Sequence, residues 1–548
     1  MAARRQALAL LVSASLAAGT ACSAGSGSGA RPSSGASLSS TTPPGAGALD
    51  RVTWALPMGE PTTLDPAKVG DYSPQTVVAN LCDTLLRMAP DFSIGPGLAE
   101  KATWADEHNL VLDLRPGVTF WDGTPLTPRD VVYSLRRQTD PNTQGIYGSA
   151  LAQVTAIEAT GPHQVTLRTK AHDEGLFKAL VTPFGAVVQE TFAAKAGAGY
   201  GTPTGGVMCS GPFKLASWKS GDSITITRND AYWDARLRPK AARVVFRFVT
   251  NGNTLTGALL SGEIDGVYEL PPGSAAALAK ANNGSIHLGP ATQNVMLVPG
   301  NPQTPAADRR LLDALSLAVD RNALIKNAFG GDATLLKSLT PPPTWAGDPA
   351  AAQLNAAYDA LPAIAGPDLE RARQLVAEVG APKRPLVTAI PAGDQRDLQI
   401  VTFLQAAAKK IGVDIEIRQL QPTEMSSLFY DPSIRNGLDL VVTFGYVAAP
   451  DAPSYVADMV DEGALFNWTD YRNPEATRLL DQARTAADPS EAAGAFARAQ
   501  AAYTPSLPVI YLVAPHERMF MNKRISGAPA SFAYMNMPWA AYLGGTAS

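Results

Sequence analysis

The chain has 548 residues, 45% hydrophobic and 17% charged, a length that calls for two or more lobes around a large buried core. Its 45 Lys and Arg stand against 49 Asp and Glu, a formal net charge of −4 with no basic stripe, which argues against a nucleic-acid binder that depends on phosphate neutralisation. Apolar runs fall short of the roughly 20 residues that a membrane-crossing helix needs, which excludes a multispan membrane protein.

Residues 1–21 read as an export signal. Arg4 and Arg5 form a basic start, 7–18 (ALALLVSASLAA) an apolar stretch too short to span, and Gly19-Thr20-Ala21 supplies small residues before Cys22. The segment resembles a bacterial lipoprotein signal, although Gly19 stands where that signal usually has Leu. The resemblance implies that Cys22 is lipidated and becomes the first residue of the mature chain. An ordinary secretory signal that ends near a cysteine is the alternative. Residues 22–49 are the lipidated Cys and a tether of almost wholly Ser, Gly, Ala, Pro and Thr, which cannot bury enough apolar surface to fold. Flexible-chain scaling gives it a reach of about 28 Å.

From residue 50 onward the pattern is mixed α/β. Residues 111–115 (VLDLR) and 223–227 (SITIT) alternate as half-buried strands, and 244–248 (VVFRF) reads as a more buried one. Residues 309–329 carry apolar side chains at helical spacing and stop at Gly330-Gly331, and 369–379 does the same before Gly380. A helix over 397–411 closes at Gly412 and leads into a strand over 413–419. Catalytic and metal motifs are missing: His108, His163, His172, His287 and His516 are scattered, and neither a phosphate-binding loop nor a nucleophile elbow occurs in the mature chain. The expectation is a binding protein, not an enzyme, without cofactor or metal. Outside the cytoplasm, Cys82 and Cys209 are either a disulfide or two buried thiols.

Several tracts then carry a resemblance. They are Pro61-Thr62-Thr63-Leu64-Asp65-Pro66, Asn80-Leu81-Cys82-Asp83-Thr84-Leu85-Leu86, Gly97-Leu98-Ala99-Glu100 and the long stretch 114–135 around Trp121-Asp122-Gly123-Thr124-Pro125. Ser210-Gly211-Pro212-Phe213, Arg228-Asn229-Asp230-Ala231-Tyr232-Trp233, and Asp308-Arg309-Arg310 with Ala318-Val319-Asp320-Arg321 follow in the same order. Together they resemble the family 5 solute-binding proteins, peptide- and nickel-type receptors of ABC importers, over residues 50–527. Most of these tracts read as scaffold: 122–125 is turn chemistry, Trp218 and Trp233 are core, and Asp130 caps a helix.

The resemblance implies a two-lobed periplasmic-binding-protein-like fold, type II with an extra inserted domain and a ligand cleft between the lobes. The expected division is 50–87 for the first part of lobe I, 88–205 for its inserted subdomain, 206–292 for its second part, 293–507 for lobe II and 508–548 for the return to lobe I. It further implies an exported, monomeric receptor on the outer face of the cytoplasmic membrane or in the periplasm, held only by its lipid. Such a receptor would deliver a peptide or other small solute to a permease and ATPase complex. A regulatory envelope lipoprotein on the same scaffold is the alternative.

In oligopeptide-binding members of the family, the segment after Leu-Asp-Pro lines the pocket, which here points to Gly70, Asp71 and Tyr72. The Tyr that follows an Asp-Pro-Asn-Thr tract does the same, which points to Tyr147. Peptide binders usually place an Asp three residues after a Trp in lobe II, to pair with the ligand's ammonium. Here 443–451 (TFGYVAAPD) has Tyr446 in the equivalent region and Val or Ala in place of that Asp. Asp451 is the nearest substitute, with a loop-capping role as the other reading. Cys82 and Cys209 occupy positions where the family usually has other residues, and two such departures together suggest that they pair.

Overall fold

The structure, a computed structural model, describes residues 38–547, so Cys22 and the signal lie outside the described residues. Two sheets organise it. The first runs in the order Gly284–Gly289, Glu517–Asn522, Gly266–Val267, Val52–Leu56, Arg243–Phe248, Ser223–Arg228, Phe213–Lys219. Its middle strand Val52–Leu56 is buried along its whole length and pairs parallel to both neighbours, as a strand covered on both faces does. The second sheet runs Ala333–Leu335, Ile510–Pro515, Gln293–Pro299, Leu440–Tyr446, Leu386–Pro391, Ile415–Leu420. The helix Gln395–Lys409 connects the parallel strands Leu386–Pro391 and Ile415–Leu420, the crossover that parallel pairing requires. The architecture is thus two-lobed and mixed α/β, with one large sheet at the centre of each lobe.

Between the first two strands of lobe I, the chain builds a separate antiparallel sheet of Ala99–Asp106, Asn109–Leu114, Gln164–Thr169 and Val154–Gly161, within the stretch expected to be inserted. Among the described residues the chain passes from one large sheet to the other twice, at 290–292 and at His516. The strand Ile510–Pro515 pairs on both sides within the second sheet. Residues 508–515, expected with the return to lobe I, therefore build lobe II, and the return starts at Glu517.

One expected helix is two. Residues 309–329 divide into Arg309–Ala318 and Arg321–Ala328, with Val319 extended between them (φ −85°, ψ 116°). The Asp320 carboxylate accepts from the Ala323 N–H at 2.9 Å: a fresh N-cap competes successfully with continued helix. Asp130 sits one turn inside its helix rather than at the cap, accepting from the Thr127 N–H and hydroxyl at 3.0 and 2.7 Å. Trp218 and Trp233 donate to Glu60 and Asp83 and belong to the scaffold. Cys82 and Cys209, both buried, are joined by a disulfide with Cα atoms 4.9 Å apart.

Candidate functional site

The Leu-Asp-Pro tract is held in place by a buried ion pair. Arg137 donates to both oxygens of Asp65 at 3.0 and 2.6 Å, the two-pronged geometry that fixes a guanidinium against a carboxylate. Asp65 also accepts from the Ala67 N–H at 3.1 Å, and the Ala67 carbonyl accepts from the Ile146 N–H at 3.0 Å. The chain at 66–70 thus lies along the loop that carries Tyr147, whose hydroxyl donates to the Val69 carbonyl. Asp71 caps the helix Tyr72–Val78 by accepting from the Tyr72 N–H at 2.7 Å. That cap sets Tyr72 on the inner wall.

Lobe II meets this wall through Tyr446, the last residue of the strand Leu440–Tyr446. Its hydroxyl lies 2.8 Å from the Gly70 carbonyl and 2.9 Å from the Gln75 side-chain amide, and its ring packs edge-on against Tyr72 and Phe532. Gln293, at the start of lobe II, donates to the Tyr72 hydroxyl and to both oxygens of Glu269, each at 3.1 Å. Glu269 holds a left-handed backbone (φ 55°), an unusual conformation for a residue with a side chain. Burial, with Glu269 nearby, pushes the Tyr72 phenol far above its ordinary range, and burial does the same for Tyr147 and Tyr446. All three are therefore neutral hydroxyls that can both donate and accept.

Arg396 supplies the cation. Its guanidinium stacks on Phe444 at 3.8 Å and lines a small cavity with Gln293 and Glu269. Burial works against its charge, but Asp397 and Asp394 outweigh that and keep it a cation. Across from Tyr147 and Asp71 stands Tyr430 of lobe II, 59% exposed, with Ile146 45% exposed on the opposite rim.

Gly70, Tyr72, Tyr147 and Tyr446 thus come together, with Asp71 at their edge. Asp451 does not join them. It is 6% exposed, stands at the N-cap position of the helix Ala452–Val460, and lines a different cavity with Lys178 and Asp348. Burial raises its carboxyl, while Lys178 and Ser454 offset part of that rise. Gln293, Glu269, Arg396 and Tyr430 were not singled out in the sequence. Only Arg396 left a signal there: a cation in the first turn of a helix opposes the helix dipole and needs another reason to be present.

The chain matches the family model described as "Bacterial extracellular solute-binding proteins, family 5 Middle" over residues 93–467. It is 25% identical over 474 residues to the glutathione-binding protein GsiB of Shigella boydii, which covers 85% of this chain and 89% of the relative. The solved structure of the oligopeptide-binding protein AppA of Bacillus subtilis, in complex with a nonapeptide, superimposes with a TM-score of 0.78 at 19% identity, covering 92% of this chain and all of the other. The periplasmic binding protein DppA of Helicobacter pylori, in complex with the peptide STSA, gives 0.78 at 18% identity, covering 91% and 98%.

Proposed function

The chain belongs to the bacterial extracellular solute-binding proteins, family 5, and from that premise we propose that it captures a peptide or related small solute between its lobes and delivers it to the permease and ATPase of an ABC importer. In this reading it is exported, held to the membrane through a lipid on Cys22, and works as a monomer. One observation supports it above the others: polar groups of both lobes meet in two hydrogen bonds, Tyr446 on the Gly70 carbonyl and Gln293 on the Tyr72 hydroxyl.

These groups are suited to a peptide main chain. Exposed backbone at Gly70 and Asp71 offers carbonyl and amide partners to an extended segment, and contacts of that kind tolerate many side chains. Arg396, fixed on Phe444, matches a carboxylate. At the other end Ala448 and Ala449 offer no charge to an ammonium, so a free amine would have to find Glu269, Asp71 or the more distant Asp451.

A melting-temperature screen of peptides of two to eight residues and of glutathione tests the reading. Peptides should raise the melting temperature with little dependence on side-chain identity, as RT ln(1 + [L]/Kd) requires of a ligand that binds only the folded state. Tyr147→Ala and Asp71→Ala should shrink the shift, and Arg396→Ala should harm free acids more than C-terminal amides. If no peptide and no other small solute produces a shift, the receptor reading falls and the regulatory lipoprotein takes its place.

A further inference from the structure

A second contact joins the lobes, and it shares no residue with the tyrosine contact. On the lobe I side it is made by the tip of the hairpin Leu86–Met88 and Ile94–Pro96 and by the helix Glu174–Ala179. On the lobe II side it is made by the turn at 345–348 and by the start of the helix Ala452–Val460. Lys178 donates to Asp348 across the gap, with Nζ to Oδ2 at 3.0 Å, and the two side chains are only 16% and 15% exposed. Asp348 is held ready for it, since its other oxygen accepts from the Ala350 N–H at 2.8 Å. Asp451 is the second lobe II acid beside this ammonium.

Burial works against the ammonium, but Asp451 and Asp348 outweigh it and hold Lys178 above the usual lysine range. Attraction here thus exceeds the desolvation cost that often cancels a buried ion pair. That surplus exists only while the lobes meet, because the cation comes from one and these two acids from the other. Glycines let the surfaces approach on both sides of the pair. A Cβ on Gly347 would come within 2.5 Å of the Ser93 Cα, and one on Gly175 within 2.6 Å of the Ser454 hydroxyl and 2.8 Å of an Asp451 carboxylate oxygen. At the hairpin tip Phe92 is buried with a left-handed backbone (φ 65°), a conformation that a residue with a side chain keeps where its surroundings impose it.

We infer that these residues form an interlobe latch, in which Lys178 of lobe I is gripped by Asp348 and Asp451 of lobe II, and that the latch holds the lobes closed without help from a solute. The inference rests on the lobe closure of the receptor reading and adds a positioning residue to it. Lys178 touches no solute, yet the apparent affinity for each one follows the closed fraction that Lys178 maintains.

Small-angle scattering of the ligand-free full chain tests it. The unmodified protein should have the radius of the closed structure. Lys178→Met and Asp348→Asn should each lower the closed-to-open ratio about tenfold and enlarge that radius. The double variant should open no further than Lys178→Met alone, because the two side chains act as one pair. Gly347→Ala adds a methyl that meets the Ser93 backbone in the closed form and alters no charge, so it should enlarge the radius too, and it keeps the test intact if a charge variant fails to fold. Trialanine and trialanine amide, titrated by calorimetry, should both bind Lys178→Met more weakly and by the same factor. A radius unmoved by Lys178→Met and Gly347→Ala overturns the latch, and so does an unequal loss for the two peptides, which would put Lys178 on the solute. If neither peptide binds the unmodified protein, it is the receptor reading that loses support, and the scattering still decides the latch.

Discussion

Tyr446→Phe removes one hydroxyl from the contact between the lobes, and the structure sets the size of the effect. Gly70 is exposed, so its carbonyl regains water when the bond is lost and the change there is about 0.5 kcal/mol. Gln75 is fully buried and its Nε2 has no other partner. Turning the amide lets Nε2 donate to the Tyr446 oxygen while the hydroxyl proton goes to Gly70, so the tyrosine can serve both neighbours. Losing that buried partner costs about 1.5 kcal/mol. The sum, about 2 kcal/mol, acts on the closed form alone and lowers the closed-to-open ratio about thirtyfold. Small-angle scattering of the ligand-free protein should show a larger radius for the variant, and calorimetry a weaker peptide Kd that follows the lost closed fraction. A weaker Kd with an unchanged ligand-free radius would mean that Tyr446 touches the solute and does not hold the lobes together, which would refute this account.

Replacing Cys82 and Cys209 together by Ala should lower unfolding free energy by about 5 kcal/mol, since the bridge closes a loop of 127 residues; an unchanged denaturation midpoint would speak against a bridge in the exported protein. Burial and the adjoining Glu269 hold the Glu517 carboxyl well above its ordinary range, so the folded protein binds a proton that the unfolded chain releases near pH 4.3. The stability this group contributes is full below that pH and declines as pH rises above it, by about 1.4 kcal/mol per pH unit up to the folded value. Glu517→Gln should flatten that decline, and melting curves from pH 4 to 8 with the same slope in both proteins would count against it. Cys22→Ala should release the protein into the medium with its melting temperature unchanged, and fractionation that finds the variant still on the membrane would contradict the lipid anchor.

Local pattern carried the fold where one element decided its own conformation. The strands Asn109–Leu114, Ser223–Arg228 and Arg243–Phe248 follow from alternation and buried runs, and the helices Leu369–Val379 and Gln395–Lys409 end close to Gly380 and Gly412, as their glycines indicate. It misled at 319–320, where apolar spacing continues through a break that one aspartate side chain makes. The site was legible where family tracts run through it, at Gly70, Tyr72 and Tyr147 in lobe I and at Tyr446 in lobe II. Gln293 and Glu269 face each other because the chain crosses between sheets nearby, and Arg396 reaches the same place from another strand's crossover helix. Asp451 and Tyr446 are near neighbours in sequence, yet the turn at 447–450 sends one to the tyrosine wall and the other to the helix Glu174–Ala179. Sequence distance does not report that divergence.

The two crossings between the sheets also set an order of assembly. Lobe II is one uninterrupted segment, and its first and last strands lie side by side, Val295 opposite Val513, so everything its sheet needs is present once residue 515 has been made. Lobe I is still incomplete at that point. The strand Glu517–Asn522 lies inside its sheet, between Gly284–Gly289 and Gly266–Val267, and Trp539 packs on Trp54 at 4.6 Å. The half of the molecule that begins first is therefore the half that must finish last, and until its final 30 or so residues arrive, Gly266–Val267 and Gly284–Gly289 present unpaired edges. A chain that is truncated or delayed near its C-terminus leaves lobe II whole and lobe I open to wrong partners.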